Sequence, residues 1–181
     1  MLTHASPEQY KEIYAEFYKR RDVFPHIRAD YIQRTVESGH CVWEKGVIIT
    51  YQQYKKDVKL GNVTIPKGSV MLHQILNTQQ FSGAGREIFD KFFTDVVTSL
   101  QGDLYLSVRA DNKIARSFYK KVGMIQVGEV HWQMQGQALP GVIYLKYTPR
   151  TKETKKSKRT KKAIERKPGN LPFKSLDDFL V

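Results

Sequence analysis

The chain has 181 residues, a formal net charge of +12, 40% hydrophobic and 12% aromatic residues, and one cysteine. That length supports one domain with a single sizeable core and room for a tail, and the apolar content is enough to fill such a core. One cysteine leaves no intrachain disulfide and no cysteine metal cluster, no apolar run nears the roughly 20 residues of a membrane span, and the first ten residues have no signal-peptide core, so a soluble, cytoplasmic protein in a reducing setting is expected.

In chain order, Ser6 with Pro7 and Gln9 forms a capping-box pattern, and Tyr10, Ile13, Tyr14, Phe17 and Tyr18 then recur at helical spacing. Residues 28–37 predict a second helix, with Ile27, Tyr31, Ile32 and Val36 inward and Gly39 as its stop. From Cys41, two runs rich in β-branched and aromatic residues flank Glu44, Lys45 and Gly46, which predicts a hairpin. Residues 55–69 read as a loop, and residues 70–76 as a buried strand. Residues 83–97 predict a helix whose Ile88, Phe89, Phe92, Phe93, Val96 and Val97 face a sheet. A strand at 104–109, a helix at 112–122 and strands at 124–134 and 142–147 complete the series, with no internal repeat. Strands alternating with helices in the middle and hairpin-like strands at both ends predict an α/β (α+β) architecture, a mixed sheet covered by helices.

Between the strand at 70–76 and the following helix stands the run QQFSGAGRE, from Gln79 to Glu87. Strand, glycine turn and helix is a layout in which backbone amides can be aimed at a phosphate. A nucleoside-triphosphatase loop needs Gly-Lys-Ser/Thr at its end, and here Arg86 and Glu87 follow Gly85, so that reading fails. A dinucleotide fold wants a third glycine where Ile88 stands and an acid closing the next strand, whereas Asp103 precedes its strand. Gln80, Gly83 and Gly85 have the spacing Gln-x-x-Gly-x-Gly, which resembles the pyrophosphate loop of the GCN5-related N-acetyltransferases (GNAT). Taken by itself, a purely structural turn fits equally well. A second stretch, LYLSVRADNKIARSFYKKVGM from Leu104 to Met124, resembles that family's other signature, with Asn112, Ala115, Phe118, Tyr119 and Gly123 in place. The two motifs stand in the family's order, the resemblance covers residues 41–147, and it is nearest to enzymes like the ribosomal-protein alanine acetyltransferases.

The resemblance implies a GNAT fold, a mixed sheet of about six or seven strands whose parallel central strands, residues 70–76 and 104–109, splay apart. It implies acetyl-coenzyme A as cofactor, with its pantetheine arm in the gap, and an amine-bearing acceptor. By family position, backbone near His73, Gln74 and Ile75 faces the pantetheine and acetyl, Gln80, Phe81, Ser82, Gly83, Ala84, Gly85 and Arg86 hold the diphosphate, and Asn112 both caps its helix and touches the cofactor. Tyr119 stands where the family places its general acid. Ser107 stands where the nearest relatives carry a glutamate base, and a serine is not a base at neutral pH. Either the acceptor arrives already neutral or another group takes its proton; His73, Glu44, Asp111, Glu129 and His131 are candidates. His73 has the most useful ordinary pKa, about 6.5, although a single histidine on a buried strand also reads as a core residue.

Acceptor specificity is expected from the helix pair, residues 55–69 and the turn QMQGQALPG at 133–141. Trp43, Tyr51, Tyr54, His131 and Trp132 are candidates for an aromatic pocket. Residues 1–148 form the expected domain and residues 149–181 a basic tail. From Arg150 to Lys167, ten Lys or Arg stand against Glu153 and Glu165, a net +8 over 18 residues. This stretch predicts disorder when free and salt-dependent attraction to nucleic acid or a ribonucleoprotein, through phosphates rather than bases because it has no aromatic residues. The apolar residues from Leu171 onward fit a short docking helix or an unstructured end.

Overall fold

The computed structural model describes residues 1–79, 83–134 and 137–149. Pro7–Gln9 forms a short 3-10 turn, closed by the capping box predicted at Ser6, and leads into α1 (Tyr10–Tyr18); α2 (Ala29–Glu37) follows. β1 (Cys41–Glu44) and β2 (Val47–Gln53) form the expected hairpin, turned by Lys45 and Gly46, both in the left-handed region. β3 (Val58–Leu60) and β4 (Val63–Ile65) come next, then β5 (Val70–Asn77), α3 (Ala84–Phe92), which continues as a π-helical turn at Phe93–Val97, and β6 (Leu104–Arg109). α4 (Lys113–Lys121), β7 (Ile125–Met134) and β8 (Gln137–Lys146) complete the order.

Six strands form one mixed sheet in the order β1-β2-β5-β6-β8-β7, in which only β5 and β6 run parallel. Its two faces carry different layers. On one, Val42, Ile49, Leu72, Leu106 and Tyr144 pack against Ile88, Phe89 and Phe92 of α3 and Tyr119 of α4. On the other, Ile48 and Leu76 meet Ile13, Phe17, Ile32 and Val36 of α1 and α2. The remaining half of that second face, Met71, Tyr105, Ile143 and Leu145, is covered by Leu60 and Ile65.

Those two residues correct the expected loop. Residues 55–69 hold the β3–β4 hairpin, whose short strands show no clear alternation in sequence but bury Leu60 and Ile65 on the sheet. The hairpin tip is bonded to β7: the Asn62 amide donates to the Glu129 carbonyl (3.2 Å) and the Glu129 amide to Asn62 Oδ1 (2.8 Å). The final turn is also shorter than expected. β7 and β8 run through most of residues 133–141 as paired strands, with Gln133 opposite Ala138 and His131 opposite Pro140.

The N-terminal arm lies along the free edge of β1. Ala5 donates to the Cys41 carbonyl (2.9 Å) and Trp43 to the Thr3 carbonyl (3.1 Å), so strand groups that invite edge pairing are covered.

Candidate functional site

The site is set by where β5 and β6 stop pairing. Their register has three residue pairs, Val70 with Leu104, Met71 with Tyr105 and Leu72 with Leu106. β5 then runs on to Asn77 with β2 as its partner, and β6 to Arg109 with β8 as its partner. Each strand leaves with its own antiparallel neighbour, so the sheet opens into a wedge from His73 onward. A β-bulge lies at this point: Thr50 faces Gln74 while Tyr51 faces Leu72, so His73 has no opposite number on β2. An extra residue reverses the side-chain alternation of a strand. Leu72 and Ile75 both reach the α3 face, while Gln74 and Leu76 turn to α2.

Gln74 is held from that side. Its Oε1 accepts a hydrogen bond from the Tyr31 hydroxyl (2.8 Å), and Thr50 Oγ1 donates to the same oxygen. Thr50 is fully buried, and burial pushes the Tyr31 phenol above its ordinary range. Among the described residues the amide nitrogen of Gln74 has no partner, and no fully buried side-chain nitrogen or oxygen is left unpaired, so that nitrogen is open to solvent. The His73 ring meets Tyr31 edge-on, 6.5 Å between centroids. Burial, with a smaller push from His40, lowers its imidazole to about 4. His73 is therefore neutral at pH 7 and only weakly basic.

The other end of the site is the start of α3. Thr78 closes β5 by donating from its amide to the Gly46 carbonyl (2.8 Å), and Gly83 opens the helix at φ +76°, a conformation that favours glycine. Ala84, Gly85 and Arg86 form its first turn, where the helix dipole and amides favour an anion. A Cβ on Gly85 would lie 3.4 Å from Asn77 Nδ2, and one on Gly83 would meet nothing within 4 Å. The Arg86 side chain is exposed beside Asp90, at 3.8 Å. Gln80, Phe81 and Ser82 lie outside the described residues.

α4 brings the second motif to the wedge. Asn112 caps it, its Oδ1 accepting from the Ala115 amide (3.1 Å), as its side chain predicts. Tyr119 is buried on the α3 and α4 face, its ring 5.6 Å from Phe118 and 5.9 Å from Tyr144, and burial raises its phenol pKa far above the ordinary value. It is protonated at neutral pH. Tyr119 and His73 thus stand on opposite faces of the sheet.

The other proposed bases are scattered. Glu44 accepts from Lys91 and from the Thr3 amide, both of which hold its carboxyl below the usual range, on β1, three places from β6. Asp111 is gripped by the Arg109 guanidinium through both oxygens and is likewise lowered. Glu129 and His131 lie on β7, the outer strand. Ser107 stands half-buried on β6, just past the last β5 pair. The expected aromatic pocket does not form either. Tyr51 packs on Phe92 (5.1 Å), Trp43 joins the α1 and α2 cluster, and Tyr54 and Trp132 join the cluster under the β3–β4 hairpin. The strand alternation separates these rings onto different faces. Tyr31 and Thr50 are the site residues that sequence reading missed, because a helix residue and a strand residue meet only through tertiary packing.

No protein family's sequence profile matches the chain, and no curated protein matches it in sequence. Solved structures do match it in shape. Arabidopsis thaliana NAA60 in complex with a bisubstrate analogue is 17% identical over 82% of this chain and 99% of its own, with a TM-score of 0.59. YncA of Salmonella typhimurium, a putative acetyltransferase solved with acetyl-CoA, is 11% identical over 84% of this chain and 95% of its own, with a TM-score of 0.62. Ribosomal-protein-alanine N-acetyltransferase from Brucella melitensis is 12% identical over 81% and 99%, at 0.60. The likeness in shape extends over nearly the whole of each of these proteins, and the chain has the GNAT acetyltransferase fold.

Proposed function

We propose that this protein is an acetyl-coenzyme A-dependent N-acetyltransferase acting on an amine-bearing acceptor in the cytoplasm. The observation that carries this reading is the wedge that opens after the Leu72–Leu106 pair, with α3 starting at Gly83 beyond it. The fit to the cofactor is good: an unpaired strand edge at residues 73–75 suits an amide-bearing arm, and a helix start free of Cβ obstruction at Gly83 suits a diphosphate. His73, Gln74 and Ile75 would line the arm; Gln80, Phe81, Ser82, Gly83, Ala84, Gly85 and Arg86 the diphosphate; Asn112 would touch the cofactor while capping α4.

Acetyl-coenzyme A, when bound, supplies an acetyl group activated as a thioester. The residues of the chain then manage protons. Tyr119 holds one on its hydroxyl across the working pH range and is the donor to the departing sulfur. His73, neutral but weakly basic, is the acceptor of the amine proton nearest the wedge, and its low basicity favours an acceptor that enters uncharged. The tail at residues 150–167 brings the enzyme to nucleic acid or a ribonucleoprotein.

Calorimetric titration with acetyl-coenzyme A tests the reading. Binding in the micromolar range is expected for the parent and none for Gly83→Trp. Absence of binding by the parent would favour the second reading, a nucleic-acid-binding protein of this fold without acetyl transfer, which Ser107 on β6 suggests.

A further inference from the structure

The outward face of α4 plays no part in the site above. Helix α4 carries Lys113, Arg116, Lys120 and Lys121 and no acidic residue. Lys113, Arg116, Ser117 and Lys120 line one shallow surface concavity of about 330 Å³. They recur at the three- and four-residue spacing that places side chains in a single row, over about 10 Å of helix axis.

These charges are uncompensated. The nearest carboxylate in sequence, Asp111, is engaged by Arg109. Among the described residues Lys113, Lys120 and Lys121 make no ion pair, and Arg116 donates to the Ala110 carbonyl (2.7 Å), which holds its guanidinium in place without neutralising it. Lys120 and Lys121 suit the negative end of the helix dipole. Lys113 does not: it stands in the first turn, where the helix dipole disfavours a cation. Helix stability therefore does not explain the row.

The row also ends beside the last strand. Lys146 Nζ donates to the Val122 carbonyl (2.7 Å), which sets the end of β8 beside the end of α4. The net +8 of residues 150–167 begins directly after Pro149.

We propose that this face of α4 is a docking surface for the phosphodiester backbone of a nucleic acid, which follows the row from Lys113 to Lys120. The contact is to phosphates, since the row carries no aromatic residue to stack a base. It stands independently of the acetyl-transfer reading.

The test uses the full chain, a short labelled RNA oligonucleotide and a salt series. For Lys113→Glu/Lys120→Glu, affinity falls roughly tenfold at moderate salt and the slope of log K against log salt drops by about 1.4, two contacts at about 0.7 each. Melting temperature reports folding, and Lys113→Gln/Lys120→Gln decides the matter if charge reversal unfolds the protein. Three results overturn the proposal. One is RNA affinity and slope equal to the parent's in the folded variant, or no RNA binding by the parent. Another is loss of acetyl-coenzyme A affinity with RNA binding intact, which would assign the face to the cofactor's phosphates. The third is binding of phosphatidylserine vesicles in place of RNA, the outcome that Ile114, 87% exposed beside Lys113, would favour.

Discussion

At the scale of single residues, burial decides the chemistry. Tyr119 is 6% exposed, and with its pKa raised its proton is not lost near neutrality. Tyr119→Phe removes that proton and little volume, so kcat is expected to fall roughly a hundredfold with acetyl-coenzyme A affinity unchanged; titration alongside steady-state rates checks it. An unaltered kcat removes Tyr119 from the reaction. His73 gives a second test. Its folded pKa, about 4, lies below the ordinary 6.5, so the unfolded chain binds the proton more readily. The stability contributed by the neutral ring is thus fully present above pH 6.5 and is lost as pH falls from there to 4, on the order of 3 kcal/mol in all. His40, also lowered by burial, adds in the same direction. His73→Gln should flatten the acid limb of a melting-temperature profile in that window, and an unchanged limb would refute the assignment. The capping roles of Ser6 and Asn112 were legible in sequence because a cap and its helix are local; the Tyr31, Thr50 and Gln74 hydrogen bonds were not, since they join residues 19 to 43 positions apart.

At the scale of elements, periodicity identified both N-terminal helices, α3, α4 and the strands that carry the motifs. It failed for β3 and β4, three residues each, whose burial depends on a sheet built later in the chain. Gly61 shows how closely they dock. At φ +55°, a Cβ there would stand 1.9 Å from the Glu129 carbonyl oxygen, and a Cβ on Gly128 would stand 2.3 Å from Val63 Cγ2. Gly61→Ala is expected to cost about 2 to 4 kcal/mol, from left-handed strain plus displacement of the hairpin from β7. Denaturant titration measures it, and a loss below about 0.5 kcal/mol would mean that the hairpin is not seated on β7. The bulge at His73 was equally hidden: an apolar run has no alternation from which one extra residue can be noticed.

At the scale of the whole molecule, the sheet separates two kinds of surface. α3 and α4 cover one face and bring the glycine-led helix start, the Asn112 cap and Tyr119 to the wedge; α1, α2 and the β3–β4 hairpin cover the other and leave His73 and the Gln74 amide beside it. On the proposed reading, a cofactor held at the α3 start and an acceptor approaching past α2 would meet in the wedge from opposite sides. The sequence by itself determined the order of the elements, the helix caps, the glycine turn and the concentration of charge after Pro149, because each depends on residues close together in the chain. Only the tertiary structure decided where β5 parts from β6, which way His73 and Gln74 face, and that Glu44, Asp111, Glu129 and His131 stand apart, because strand register is set by packing between distant segments.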